Sequence, residues 1–254
     1  MKKNSKKCDK FKIVKFLNVN FFDDRYENVI KYLKKMGGYL VIPAASALVN
    51  VNSDKHYLNS LQKSTVAIFD SGLFCILLLM FKFIKVKKFS GYKFINFFLN
   101  DERNRKYKIL LLEPSAQVSK ENNFYLKSYK FRFIKHYICP LYQKNVIDKN
   151  LIKLINNYKP RFIIINISGG IQEILALYIK SNINWKIIII CSGAALSFFS
   201  DIYSKYKITK FVDEAYLGWF ARLLNNPKVF SLRLIKSLAL IFVVFNAKIK
   251  IIYK

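Results

Sequence analysis

Histidine and closely spaced cysteines are scarce in this chain of 254 residues. The two histidines are His56 and His136, and the four cysteines lie far apart without a CxxC pair. Zinc sites are built from such ligands at short spacing, so the sequence predicts no metal site. We expect the cysteines to be the reduced thiols of a cytoplasmic protein.

Acidic residues are scarce as well. There are 44 basic residues and 15 acidic ones, and the formal net charge is +29. This excess attracts polyanions such as nucleic acid, anionic lipid headgroups or phosphorylated substrates. The basic residues are spread along the chain without a recognisable nucleic-acid motif, so we predict no nucleic-acid partner. The coding bias of an AT-rich genome is the alternative source of part of the lysine.

Long apolar runs are also missing. The sequence has no segment with the ~20 apolar residues of a membrane-spanning helix, and no apolar run typical of a signal peptide follows its basic N-terminus. Two shorter apolar runs cover residues 73–81 and 238–245. We predict the first to be a buried core element. For the second, a core element and a segment lying on a membrane surface both stay open.

Apolar runs of strand length alternate with helical patterns along most of the chain. The strand-like runs are GYLVIPA, TVAIFD, KYKILLLEP, RFIIINISGG and WKIIIICSGAA. This alternation predicts an α/β fold, with a Rossmann-like, mostly parallel sheet and helices on both faces. From about residue 205 the pattern becomes helical and basic. We therefore divide the chain into an α/β core, residues 1–204, and a membrane-associating C-terminal appendage, residues 205–254.

Four turns follow predicted strands, at residues 43–46, 70–72, 168–173 and 192–195. Ligands of parallel sheets bind outside the carboxyl ends of the strands, so these turns predict the binding site. Asp70 ends one strand at this edge, where a carboxylate can act as a general base. The alternative is that Asp70 caps the helix beginning after Gly72.

Gln172 and Glu173 follow two glycines, Gly169 and Gly170, at the start of a predicted helix. Backbone N–H groups at such a position suit the oxygens of a diphosphate or a sugar, and a glutamine amide can both donate to and accept from hydroxyl groups. We predict that Gln172 binds sugar or nucleotide. For Glu173 the alternative is a carboxylate that complements the helix dipole.

Four stretches resemble, in order and spacing, the WecG/TagA/CpsF family of bacterial glycosyltransferases. They are VIPAASALVNVNSDKHYLNSLQKSTVAIFDSG, KFSGYKFINFFL, IIINISGGIQE and LGWFARLLNNPKVFSLRL, and the resemblance covers about residues 34–236. The Asp-Gly turn of the family falls at Asp70, and its Pro-Lys-Gln-Glu motif falls at residues 170–173. Its C-terminal signature falls at residues 218–223 and 227–228.

The resemblance implies a function in surface polysaccharide biosynthesis. A hexose, N-acetylhexosamine included, would pass from a UDP-sugar to a polyprenyl-diphosphate-linked saccharide, with inversion and without metal or cofactor. The protein would be cytoplasmic and peripheral on the inner face of the cell membrane, in contact with an anionic membrane surface. A homo-oligomer or a partner glycosyltransferase is left open.

The resemblance also implies roles for individual residues. Asp70 matches the catalytic base. Cationic side chains near the diphosphate stabilise departing UDP, although in so basic a chain a solvated basic face is the alternative. The substrate-binding residues expected in this way are Lys88, Gly91, Gly169, Gly170, Gln172, Glu173, Gly193, Arg222, Lys228 and Arg233.

The sequence departs from the family pattern at several of its motifs. Lys88 replaces an arginine and loses the bidentate fork of the guanidinium group. The other departures are Ile42 for threonine, Ala44 for asparagine, Gly170 and Ile171 for proline and lysine, and Gly218 for glutamate. Two interpretations stay open: an altered sugar specificity, or a catalytically weakened paralogue that acts as a nonenzymatic partner of another glycosyltransferase.

Overall fold

The structure is a computed structural model, and it describes residues 11–193, 195–196 and 235–253. The strands are β1 Lys12–Phe16, β2 Val19–Phe22, β3 Gly38–Val41, β4 Val66–Ile68, β5 Ile109–Glu113, β6 Ile134–Ile138, β7 Phe162–Ile165, β8 Ile188–Cys191 and β9 Ile249–Tyr253. The helices are α1 Tyr26–Met36, α2 Ala45–Leu48, α3 Lys55–Gln62, α4 Gly72–Lys82, α5 Gly91–Asn100, α6 Ala116–Ser128, α7 Lys149–Tyr158, α8 Ile171–Asn182 and α9 Leu240–Asn246.

The nine strands of the described residues form one sheet, in the order β6-β5-β7-β8-β3-β4-β2-β1-β9. The strands from β6 to β2 in this order run parallel to one another, whereas β1 is antiparallel to both of its neighbours, β2 and β9. Every residue of β3, β5, β7 and β8 is buried. This explains their continuous Ile- and Leu-rich sequences, because strands of a parallel sheet are covered on both faces. The predicted Rossmann-like α/β fold is confirmed.

Helices cover both faces of the sheet, and each face buries its own hydrophobic core. On one face, residues such as Leu110 and Leu112 of β5 pack with α3, α4, α7, α8 and α9. On the other face, Ile109 and Leu111 of the same strand pack with α1, α5 and α6. The alternation of strand side chains between faces therefore divides one apolar run between two cores.

Five helices in the described residues, α3 to α7, begin at side-chain caps, and two of these caps concern the predicted elements. The carboxylate of Asp54 accepts the N–H of Tyr57 at the start of α3, at 3.0 Å. The hydroxyl oxygen of Ser71 accepts the N–H of Phe74 at the start of α4, at 3.2 Å. Ser71 therefore has the capping role that was the alternative for Asp70. The predicted core element at residues 73–81 is confirmed as α4, whose inner side chains are buried.

The described end of the chain joins the sheet. Strand β9 pairs with β1 along its length, and the buried side chains of Leu240, Val243 and Val244 in α9 belong to the same core as α4. The end of the predicted helical appendage is thus partly a strand, paired with residues more than 230 positions earlier in the chain. The boundary near residue 204 lies outside the described residues, and the division at that point stays a prediction.

Candidate active site

The four turns predicted to bind ligand are neighbours at one edge of the sheet. Their strands are adjacent in the order β7-β8-β3-β4. In the parallel register, Cys191 lies between Ile165 of β7 and Val41 of β3, and Val41 also pairs with Ala67 of β4. All four turns therefore start at nearly the same level, outside the carboxyl ends of the strands, where open α/β sheets bind ligands.

Asp70 lies at this edge, two residues after β4. The backbone N–H of Gly91 donates to its Oδ1 atom at 2.9 Å, and the N–H of Phe89 donates to the carbonyl of Phe69 at 2.8 Å. The linker before α5 is thus held along the end of β4. The carboxylate of Asp70 accepts from the first turn of α5, where the positive end of the helix dipole stabilises negative charge.

Gly91 marks the point at which three strand ends converge. A Cβ atom built there would lie 3.2 Å from Cγ2 of Ile42, after β3, and 3.6 Å from Cβ of Ala195, after β8. A side chain would have to displace Ile42, so the close approach favours glycine. Because the N–H of Gly91 binds Asp70, Gly91 positions the predicted base as well as adjoining the predicted substrate site.

Lys88 lies on the same linker and is half-buried. Burial raises the pKa of the Cys75 thiol in α4 to about 12, with Lys88 acting to lower this pKa and Asp70 acting to raise it. Both residues therefore act electrostatically on one buried thiol, which stays protonated at neutral pH and is not a nucleophile. The predicted base and the lysine predicted to bind phosphate therefore lie near the same residue of α4.

The turns after β7 and β8 are joined by a network of buried and partly buried hydrogen bonds. The N–H of Gly170 donates to Oε2 of Glu173 at 2.7 Å, Nε2 of Gln172 donates to Oε1 of Glu173 at 3.0 Å, and the N–H of Gly193 donates to Oε1 of Gln172 at 2.9 Å. Burial raises the pKa of the Glu173 carboxyl, and N–H donors to the carboxylate oppose this shift. We name these residues, Gly170, Gln172, Glu173 and Gly193, the loop network.

Gly169 and Gly170, at the start of α8, are not covered by other parts of the described chain. A Cβ atom built on either glycine would meet no atom of the described residues within 4 Å. Gly170 has a φ of +94° and Gly193 one of +54°, in the left-handed region that favours glycine. The loop network therefore stabilises two turns of unusual backbone conformation beside a helix N-terminus whose glycines no atom of the described residues covers.

Two functional candidates at this edge were missed by the sequence analysis. Asn166 directly follows β7, is 5% exposed, and accepts from the hydroxyl of Ser192 at 2.7 Å. Its Nδ2 atom has no hydrogen-bond partner within the described residues. At the end of β5, the buried carboxylate of Glu113 accepts from Asn122 and contacts Nδ1 of His136, each at 2.7 Å. The available signal was a polar residue directly after, or ending, an apolar strand.

The other expected substrate-binding cations cannot be placed at this edge. Arg222, Lys228 and Arg233 lie outside the described residues, as does the departure at Gly218. Within the described residues, no three His, Cys, Asp or Glu side chains form a group that could hold a metal ion. In the same part of the chain, no helix combines the length and the apolar character needed to cross a bilayer.

Comparison with protein families identifies one family model that matches most of the chain. The family model described as "Glycosyl transferase WecG/TagA/CpsF family" matches residues 14–252. Compared with curated proteins, the chain has no significant match. The matched range includes β2 to α9, Asp70, Lys88 and the loop network, and it covers nearly the whole chain. The protein therefore belongs to the WecG/TagA/CpsF family of glycosyl transferases.

Proposed function

We propose that this glycosyltransferase moves a hexose, with N-acetylhexosamines included, from a UDP-sugar to a polyprenyl-diphosphate-linked saccharide with inversion. Asp70 carries the proposal, because its carboxylate is held by the N–H of Gly91 at the edge where four turns meet. Inversion by direct displacement needs a base to accept the proton of the attacking hydroxyl.

The reaction assigns a separate task to each group. The hydroxyl oxygen of the acceptor bonds to the anomeric carbon of the donor while the bond from that carbon to UDP breaks. The hydroxyl proton passes to Asp70, and UDP leaves with the electron pair of the broken bond. Lys88 stabilises negative charge on the departing diphosphate. Arg222, Lys228 and Arg233 are proposed for the same task from outside the described residues.

Ile42 favours a change of specificity at this site. In the family pattern this position carries a threonine, whereas here the side chain of Ile42 is buried and packs against Gly91. An apolar side chain cannot replace a hydroxyl contact to a sugar. Ile42 fits a donor that lacks this contact. The same loss of a polar contact is compatible with the second candidate function, that of a catalytically weakened paralogue that assists another glycosyltransferase.

Product formation distinguishes the two candidates. The purified chain is incubated with a panel of UDP-hexoses and UDP-N-acetylhexosamines and with polyprenyl-diphosphate-linked saccharides, and products are identified by mass spectrometry. The proposed enzyme adds one sugar with one donor class and releases UDP. A chain that forms no product alone, but raises the turnover of a second transferase, is the nonenzymatic partner instead.

Transfer is expected to continue in excess EDTA, within about twofold of the untreated rate. The physical reason is that charge on the diphosphate is neutralised by lysine and arginine side chains, whereas Mg²⁺ requires carboxylate oxygens in an octahedral arrangement. Initial rates of UDP release with and without chelator measure this. Loss of activity on chelation, with recovery in Mn²⁺, would show that a metal site exists.

The exposed surface of α4 and α9 supports peripheral association with the inner face of the membrane. Phe83, after α4, is 89% exposed and Phe242 of α9 is 72% exposed. The ammonium group of Lys82, at the end of α4, links the two helices by donating a hydrogen bond to the backbone carbonyl of Phe245 in α9, at 2.8 Å. We define the α4–α9 surface as the exposed apolar residues Leu79, Met80, Phe83, Phe242 and Phe245.

Charge favours an anionic bilayer as the occupant of the α4–α9 surface. The sequence contains no Asp or Glu in residues 72–100 or 235–254, whereas Lys85, Lys248 and Lys250 are exposed in these ranges. Two copies of such a surface would repel each other. Aromatic side chains flanked by lysine suit the headgroup region of a membrane, where each basic residue contributes about 1 kcal/mol.

The double variant Phe83→Ser/Phe242→Ser is expected to weaken binding to vesicles of mixed neutral and anionic lipid by at least about tenfold, because two exposed apolar side chains are lost. Sedimentation with vesicles measures the binding. Phe124→Ser is the matched control, since Phe124 is 78% exposed on α6 at the opposite face of the sheet. Equal binding of all three proteins would place the membrane contact elsewhere.

A further inference from the structure

We propose that Glu173 is a positioning residue that sets the orientation of the Gln172 amide and thereby holds the turns after β7 and β8 together. Gln172, in this view, supports the donor site through Gly193 rather than by binding the sugar itself. The proposal rests on the proposed function for its activity readout. Its structural readout is independent of that function.

The direction of each hydrogen bond in the loop network supports this assignment. The backbone N–H of Gly193 can only donate, so it requires the oxygen of the Gln172 amide, at 2.9 Å. The Glu173 carboxylate can only accept, so it requires the nitrogen of that amide, at 3.0 Å. Both ends of the amide therefore demand the same orientation, although its oxygen and nitrogen are nearly identical in shape.

Glu173 is in turn fixed by the β7 turn. Its second carboxylate oxygen accepts the N–H of Gly170 at 2.7 Å, and only 1% of the residue is exposed. Gly170 and Gly193 are thus linked through two side chains rather than by direct contact. Since both glycines have left-handed backbone conformations, the link restrains two turns that their local sequence leaves flexible.

Gln172 has little capacity left for a sugar. The residue is 3% exposed, its Oε1 atom accepts from Gly193, and one of its two Nε2 hydrogens is used by Glu173. Its backbone carbonyl also faces the buried thiol of Cys191, at 3.7 Å. The glutamine predicted to contact sugar is therefore largely committed to the protein, and within the described residues the open space lies over Gly169 and Gly170 instead.

Glu173→Gln disrupts the loop network whichever way the new amide turns. If its oxygen accepts from Gly170, its NH₂ group faces the NH₂ group of Gln172. If Gln172 then rotates, its own NH₂ group faces the N–H of Gly193. If the new oxygen instead accepts from Gln172, the new NH₂ group faces the N–H of Gly170. In every arrangement one donor of the network loses its acceptor, which costs more than the hydrogen bond alone.

Exchanging the two side chains restores the pairing. In the exchange variant Gln172→Glu/Glu173→Gln, the carboxylate introduced at position 172 accepts from Gly193 and from the amide introduced at position 173. The oxygen of that amide accepts from Gly170. Each donor again has an acceptor, and only the hydrogen bond between the side chains at positions 172 and 173 runs in the opposite direction. Such a rescue is specific to a network of defined direction, because an exchange would not restore a sugar contact made by Gln172.

The groups facing Glu173 from neighbouring elements carry no charge at neutral pH. Burial raises the pKa of the hydroxyl of Tyr39 in β3, of the hydroxyl of Tyr57 in α3 and of the thiol of Cys191 in β8, and the nearby Glu173 raises each further. Among the described residues, these neighbours therefore supply no charge that Glu173→Gln could unbalance. The consequence of Glu173→Gln is therefore a consequence of losing the carboxylate.

The test compares wild type, Glu173→Gln, the exchange variant and Glu102→Gln, a control at a carboxylate that is 77% exposed. Two quantities are measured: hydrogen exchange of the Gly193 amide, and KM and kcat for the UDP-sugar found in the donor panel. We expect Glu173→Gln to accelerate exchange and raise KM by about tenfold or more. The exchange variant should recover most of both losses, and Glu102→Gln should match wild type.

Each result decides a separate question. If Glu173→Gln leaves the hydrogen-exchange rate of the Gly193 amide unchanged, the proposal is overturned. It is also overturned if the double variant Gln172→Glu/Glu173→Gln is as impaired as Glu173→Gln in both hydrogen exchange and KM. If Glu173→Gln does not fold, recovery of a cooperative thermal transition in the exchange variant is the expected result, and its absence overturns the proposal. A wild type without any transferase activity would contradict the proposed function alone, since exchange at Gly193 still tests the network.

Discussion

Replacing Asp70 with asparagine is expected to reduce turnover by about 10²–10⁴-fold, the usual contribution of general acid–base catalysis. Asparagine keeps an oxygen that can accept the N–H of Gly91, so the linker before α5 should stay in place. UDP affinity should remain within about threefold, because the base acts on the acceptor hydroxyl rather than on the nucleotide. Single-turnover rates and UDP titration measure the two quantities separately.

Ser71→Ala is the matched control for this variant. Ser71 caps α4 directly beside Asp70, and its loss should lower the free energy of unfolding by about 1 kcal/mol while turnover is retained. Near-wild-type turnover of Asp70→Asn at saturating substrate would exclude Asp70 as the base. A parallel loss of turnover in both variants would assign the effect to a displaced turn.

The sequence predicted those parts of the fold that depend on local patterns. The Ile-rich runs of β7 and β8 could only be covered strands, and the turns after them had to lie at the carboxyl edge. The sequence did not decide whether Asp70 is the general base or the helix cap, because both Asp70 and Ser71 are good capping residues. Only the position of the Phe74 N–H decided that Ser71 is the cap.

Contacts between distant residues could not be predicted in this way. The bond from Gly91 to Asp70 and the bond from Gly193 to Gln172 each span 21 positions. No local period specifies such pairs. The hairpin of β1 and β2 was also missed, since its turn uses Leu17 and Asn18 at positive φ, without the glycine that usually marks such a turn.

The pairing of β9 with β1 changes what truncation of the C-terminal region should do. The sequence favoured a removable appendage, so that a chain ending at Tyr206 would stay folded and soluble while losing membrane binding and transfer. In the structure, that truncation also removes the partner of β1 and the buried side chains of α9. We now expect the truncated chain to unfold or aggregate.

The stability that the truncated chain should lose can be approximated from the buried side chains of α9. Leu240, Val243 and Val244 are almost fully buried, and burying such a side chain contributes about 1.5–3 kcal/mol. Three of them approach the ~5–15 kcal/mol by which a typical domain is stable. The loss of the β1–β9 hydrogen bonds adds to this, and leaves β1 as an exposed edge prone to pair with other chains.

Point variants on the two sides of α9 separate folding from membrane contact. Leu240→Ala should lower the free energy of unfolding by about 2–5 kcal/mol, whereas Phe242→Ser, on the exposed side, should leave it unchanged within about 0.5 kcal/mol. Denaturant titration of both variants, beside thermal melting of the truncated chain, provides the measurement. If the chain ending at Tyr206 instead melts cooperatively near the wild-type temperature and Leu240→Ala costs nothing, α9 and β9 are accessory to the core. The region after residue 204 would then be the separable appendage that its basic, helical sequence predicted.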